Sequence, residues 1–115
     1  MKRSNPATLE KGDLFVGTFD SFEFTRSGYQ ISIIDNYPFI TTFDLLRPPA
    51  GAKNWKDARG KLVVFEYLGP SDRSSRPRVE IRVVVRPNEA RSYGRWGGRE
   101  QEQFDIERRG GRTIA

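Results

Sequence analysis

Arginine and phenylalanine are the residues through which this chain could act on a ligand, and what they offer is non-covalent. Arg73, Arg76, Arg78, Arg82 and Arg86 lie close together, opposed only by Asp72 and Glu80. A guanidinium is a flat, permanently charged fork that matches phosphate oxygens and also stacks on planar rings. The plainer reading of the same cluster is a strand edge kept soluble by charge. Phe19, Phe39 and Phe43, with Ile34 among them, could supply ring surface. Covalent chemistry has little to work with. There is no cysteine and no histidine, so thiolates, imidazole acid–base catalysis and the commonest metal ligand are all missing. The carboxylates are scattered, and Gly94, Gly97 and Gly98 lack the Lys-Ser/Thr of a phosphate loop. We expect no enzyme, no cofactor and no metal.

The 115 residues give room for one domain with a modest core. Lys plus Arg number 20 against 15 Asp plus Glu, a formal charge of +5 that mildly favours polyanionic partners. No apolar run approaches the roughly 20 residues that span a bilayer. Met1-Lys2-Arg3-Ser4-Asn5-Pro6 is basic but has no apolar stretch behind it, so no secretory signal is expected and a cytoplasmic location follows by default.

The elements that must position these side chains read as strands. Residues 1–12 are polar and without period, a flexible arm. Residues 14–24 are rich in aromatic and β-branched types and long for one strand, and Gly17 inside them suggests a bulge or bend. A turn at 25–28 leads to a second strand at 29–34, and a turn at 35–38 to a third at 39–43. Pro48 and Pro49 forbid continued pairing. Residues 53–59 suit a short helix stopped by Gly60. A fourth strand follows at 61–68, a loop at 69–77, and a fifth strand at 78–86, where Val79, Ile81, Val83 and Val85 alternate with polar residues. Residues 88–115, rich in Gly, Arg and Glu, read as a disordered Arg/Gly-rich tail.

Five strands, a long bent first strand and a helix between the third and fourth make residues 13–87 resemble the OB-fold, a small all-β Greek-key barrel. In element order the chain is similar to single-stranded nucleic-acid-binding proteins of bacteria and phages. The resemblance implies low sequence specificity, and a ligand on the outer face of the second and third strands between two flanking loops. One departure stands out. Such proteins typically end in an acidic tail with an apolar tip, whereas this chain ends Glu107-Arg108-Arg109-Gly110-Gly111-Arg112-Thr113-Ile114-Ala115.

Hairpin register predicts which side chains share a face. Centring the second turn between Asn36 and Tyr37 sets Ile34 opposite Phe39 and Ile33 opposite Ile40. A four-residue first turn sets Phe22 opposite Ile31 and Phe19 opposite Ile34. Phe22, Phe24, Tyr29, Ile31, Ile33 and Ile40 then form the core. Phe19, Ile34, Phe39 and Phe43 stand among Ser32 and Thr41 on the outer face. There they form a stacking platform, with Arg26, Arg73, Arg76, Arg78 and Arg82 as phosphate contacts. The same patch would equally suit cover by the tail or arm, or a second subunit. Trp55 is expected to plug one end of the barrel.

The expected function is therefore a non-catalytic single-stranded nucleic-acid-binding barrel, DNA favoured. The alternative is an adaptor barrel in a larger assembly, with self-association through the Phe patch. An SH3-like or Tudor-like peptide reader is a third option, since five short strands also suit those barrels.

Overall fold

The computed structural model of the protein describes residues 2–3, 9–26, 30–41, 47–71 and 76–96. Its strands are β1 (Lys2–Arg3), β2 (Asp13–Phe24), β3 (Gln30–Ile34), β4 (Tyr37–Thr41), β5 (Leu62–Pro70), β6 (Pro77–Val84) and β7 (Gly94–Arg95). Two short helices, α1 (Trp55–Ala58) and α2 (Pro87–Ala90), precede β5 and follow β6.

Five of the strands close into a barrel in the order β2-β3-β4-β6-β5, with β5 pairing back onto β2. The β4–β6 pairing is parallel and the other four are antiparallel. This is an all-β Greek-key barrel of OB-like plan, with α1 between the third and fourth barrel strands. It agrees with the fold expected from the element order.

Closure makes β2 serve two neighbours. Residues 14–18 pair with β5 and residues 19–24 with β3. Gly17 sits at the handover. It is not itself a bulge, since it pairs regularly with Val63. A Cβ there would lie 2.7 Å from Ile34 Cγ2 and 2.8 Å from Asp35 Oδ2, so only glycine lets the end of β3 cross this close. The bulge is three residues on, where the register shifts between Phe19 and Ser21.

The turn between β3 and β4 is tighter than the sequence suggested. Asp35 and Asn36 are its two central residues, both left-handed with φ 50° and 62°, the pattern of a type I′ hairpin turn. Tyr37 and Pro38 therefore join β4. Pro38 pairs with Ile33, one position from the closing Ile34–Tyr37 pair, where the missing N–H would point away from β3. The turn folds onto β2 through Thr18 N, which donates to Asp35 Oδ1 at 2.9 Å, and Asn36 N, which donates to Asp20 Oδ2 at 3.1 Å.

The core fills the barrel with Phe15, Phe19, Ile34, Phe39, Val63, Phe65, Tyr67, Val79 and Ile81. A tryptophan closes each end. Trp55, set by α1, packs on Phe19 and half-buried Phe22, as the sequence led us to expect. Trp96 packs on Phe15, Tyr37, Phe39 and Tyr67. Trp96 moves the boundary of the expected tail: α2, β7 and Trp96 belong to the folded unit, and residues 97–115 lie outside the described ones. The arm is likewise partly built in. Lys2 and Arg3 pair with β2, and Leu9 joins the core.

A smaller cluster lies outside the barrel wall. Leu14, Val16 and Val64 face outward and are covered by Ala90 of α2 and Tyr93. That second layer explains why β2 begins as a continuous apolar run instead of alternating.

α1 is held by its own cap. Asn54 Oδ1 accepts from Asp57 N at 2.8 Å, and Asp57 Oδ2 accepts from Lys53 N at 2.9 Å. The Lys53 N–H first, and then the Lys61 ammonium, hold the exposed Asp57 carboxyl below its ordinary value of 3.8. A carboxyl lowered on folding stabilises the native state above its unfolded value, and that help is lost as pH falls through the lower folded value.

Two outcomes follow. Gly17→Ala should cost about 1–3 kcal/mol in urea denaturation, through overpacking against Ile34 and Asp35. Asp57→Asn should lower the urea midpoint at about pH 5 but converge with the parent chain by about pH 2, since acid removes the same charge from the parent.

Candidate functional site

The ring platform expected on the wet side of the barrel is not there. Phe19 is 0% exposed, Ile34 1% and Phe39 0%. The expected division into faces holds for β3 and β4: Ile34 and Phe39 share one face with Ser32 and Thr41, and Ile31, Ile33 and Ile40 share the other. The assignment of inside and outside was inverted. Ser32 and Thr41 made the inner face look solvated, but both are buried and satisfy each other, with Ser32 Oγ 3.0 Å from Thr41 Oγ1. Phe43 and Arg73, also expected in the site, lie outside the described residues.

The expected arginines separate. Arg82 is bound into an ion-pair group with Glu66 and Glu80 on the β5–β6 ribbon, which leaves little of its charge for a phosphate. Arg78 is exposed on β6, register partner of Ile40. With Ile40, Leu68 and Val79 it lines a cavity of about 220 Å³. Arg26 and Arg76 are exposed in the β2–β3 and β5–β6 connections. The outer face between those connections carries half-buried Ile33, Pro38 and Ile40 and buried Ile31, so it is aliphatic.

Aromatic surface reaches solvent elsewhere. The bulge after Phe19 restores Phe22 to the face of Phe19, because one extra residue reverses the alternation. Phe24 follows two residues later. The result is a line of rings along β2 that climbs out of the core. Phe19 and Phe22 lie nearly parallel, 8° apart at 6.2 Å, and Phe22 meets Phe24 edge-on at 6.4 Å. Among the described residues, Phe24 is the one large apolar side chain that stands in solvent, at 56% exposure.

Cations accompany this line. Lys56 and Arg59 border a shallow cavity of about 170 Å³ with Ser21 and Phe22, and Arg26 follows two residues after Phe24. Arg59 Nε donates to the Asp20 carbonyl at 3.3 Å, which holds its side chain along β2. Of the nearby acids, Asp57 is occupied by Lys61 and Lys53 N, and Asp20 accepts from Asn36 N. Exposed Glu23 pairs with Ile31 on the opposite face of the strand. Cation and ring therefore meet at the α1 end of the barrel. The hairpin register alone sets Phe22 and Phe24 in the core, and nothing in the sequence singles out Lys56 or Arg59. The spacing Phe19, Phe22, Phe24 signals one face only to a reader who knows where the bulge falls.

Among the described residues no group of His, Cys, Asp or Glu could hold a metal ion, and no helix is long and apolar enough to cross a membrane. No family model, curated protein or solved structure matches the chain.

The two kinds of phenylalanine should separate in denaturation. Phe39→Ala is expected to cost about 3–5 kcal/mol as a core cavity. Phe24→Ala should change stability by no more than about 0.5 kcal/mol.

Proposed function

We propose that the chain is a non-catalytic barrel that binds single-stranded nucleic acid at the α1 end of β2. The observation that carries this reading is exposed Phe24, backed edge-on by Phe22, which itself lines a cavity with Lys56 and Arg59, with exposed Arg26 two residues further along the chain. A base stacked on Phe24 would gain about 1–3 kcal/mol with little regard to its identity. The three cations would follow the phosphates and release counterions, so affinity would fall as salt rises. Low sequence specificity follows, because neither stacking nor charge reads base edges. Arg76 lies in the connection between the fourth and fifth barrel strands, one of the two loops that flank the ligand in OB-like barrels, Arg78 follows on β6, and we assign them an auxiliary role.

A second reading has its own observation. Ile33, Pro38 and Ile40 form a half-buried aliphatic row on the outer face of β3 and β4, which suits a protein neighbour better than a base. On this reading the barrel is an adaptor in an assembly.

Anisotropy of fluorescein-labelled oligothymidylate and oligouridylate, titrated with the full chain at two salt concentrations, tests the first reading. Binding should weaken with salt, and Phe24→Ala should reduce it about 5- to 150-fold, the equivalent of 1–3 kcal/mol. Silence with both polymers, or affinity untouched by Phe24→Ala, overturns it. A stable oligomer dispersed by Ile40→Glu would then favour assembly.

A further inference from the structure

The second apolar layer outside the barrel leaves a groove. Two hollows, of about 530 and 320 Å³, adjoin each other and share Leu62 and Pro87 as lining residues. Leu62, Val85, Pro87 and Tyr93 give an apolar floor, and Lys61, Arg86, Arg91 and Arg95 stand around it. The acid on its lining is Glu89, whose Oε1 accepts from Arg86 N at 3.1 Å. Lys61 is engaged by Asp57 and Arg95 by Asp35, whereas Arg86 and Arg91 have no ion pair among the described residues. An apolar floor within a cationic rim selects an acidic peptide with apolar anchors.

The chain supplies such a peptide from the place where it leaves the groove. Arg95 lines the second hollow, and Trp96 is fixed in the barrel end. Residues 100–107 read Glu-Gln-Glu-Gln-Phe-Asp-Ile-Glu, with four acids and no base. In an extended backbone Phe104 and Ile106 point to one side, and Asp105 and Glu107 to the other. Phe104 lies eight positions beyond Trp96, a span of at most about 26–29 Å, ample for a groove that begins at Arg95.

We propose that this groove is a peptide-docking site, and that its occupant is residues 100–107 of the same chain. Phe104 and Ile106 lie on the floor at Leu62, Val85 and Tyr93, and Asp105 and Glu107 face Arg86 and Arg91. The site shares no lining residue with the Phe22–Phe24 end, so it stands or falls apart from the nucleic-acid reading.

The test compares the full chain with its Phe104→Ala, Ile106→Ala variant, both carrying ¹³C-labelled Leu and Val methyls. Val63 and Val79, buried in the barrel, report whether the variant keeps its fold. Leu62 and Val85 signals should move between the two chains while Val63 and Val79, inside the barrel, hold still. Arg86→Glu with Arg91→Glu should speed cleavage by a glutamate-specific protease at Glu102 and Glu107. Superimposable Leu62 and Val85 signals overturn the proposal. So does a difference that fades on dilution, which would mean that the segment comes from a second copy.

Discussion

The barrel depends on one strand dividing itself between two partners. β2 gives residues 14–18 to β5 and 19–24 to β3, and closure requires both pairings at once. Three local devices make the handover possible. Gly17 lets Ile34 and Asp35 approach, the irregularity after Phe19 turns the strand, and the Asp35 carboxylate accepts from Thr18 N. Asp35 also receives Arg95 Nη1 at 3.0 and 2.8 Å on its two oxygens. The same side chain thus ties β7, and Trp96 beside it, to the joint. A five-stranded barrel leaves little tolerance in strand curvature, so strain that enters here would spread to both ends.

The ends are closed by large rings rather than by long helices. α1 and α2 have four residues each, too short to be stable alone. Each is held by its cap and by what it delivers: Trp55 from α1, and the Ala90–Tyr93 cover from α2. A small chain thereby builds two apolar layers, one inside the barrel and one against the outer wall of β2 and β5. The price is that segments outside the strand pattern become structural, which is why the Tyr93–Trp96 stretch belongs to the fold.

The inverted barrel wall and the emerging aromatic line have one cause. An extra residue in β2 changes which side Phe22 and Phe24 face. Phe19 thereby becomes the base of a line of rings that passes Lys56 and Arg59 at Phe22 and ends in solvent at Phe24. The cations that looked clustered in sequence lose their common charge, because Arg82 finds Glu66 across the ribbon and Glu80 beside it on β6. Positive charge on this protein collects instead where α1 meets β2 and where α2 meets β5.

The five strands, their order, the short helix and the Trp55 plug were legible in the chain, because alternation, proline and glycine act over a few residues. Even the partition of β3 and β4 into two faces was legible, since a register error of two residues preserves it. The sequence could not decide which of those faces met the interior. Ser32 and Thr41 look like solvent residues until their hydroxyls find each other, and Ile33 and Ile40 look like core until closure turns them to the outer face, where Ile31 alone of the three is buried as expected. Alternation defines two sides of a strand, but only the closed barrel, with its bulge and its tryptophan plugs, determines which side is enclosed.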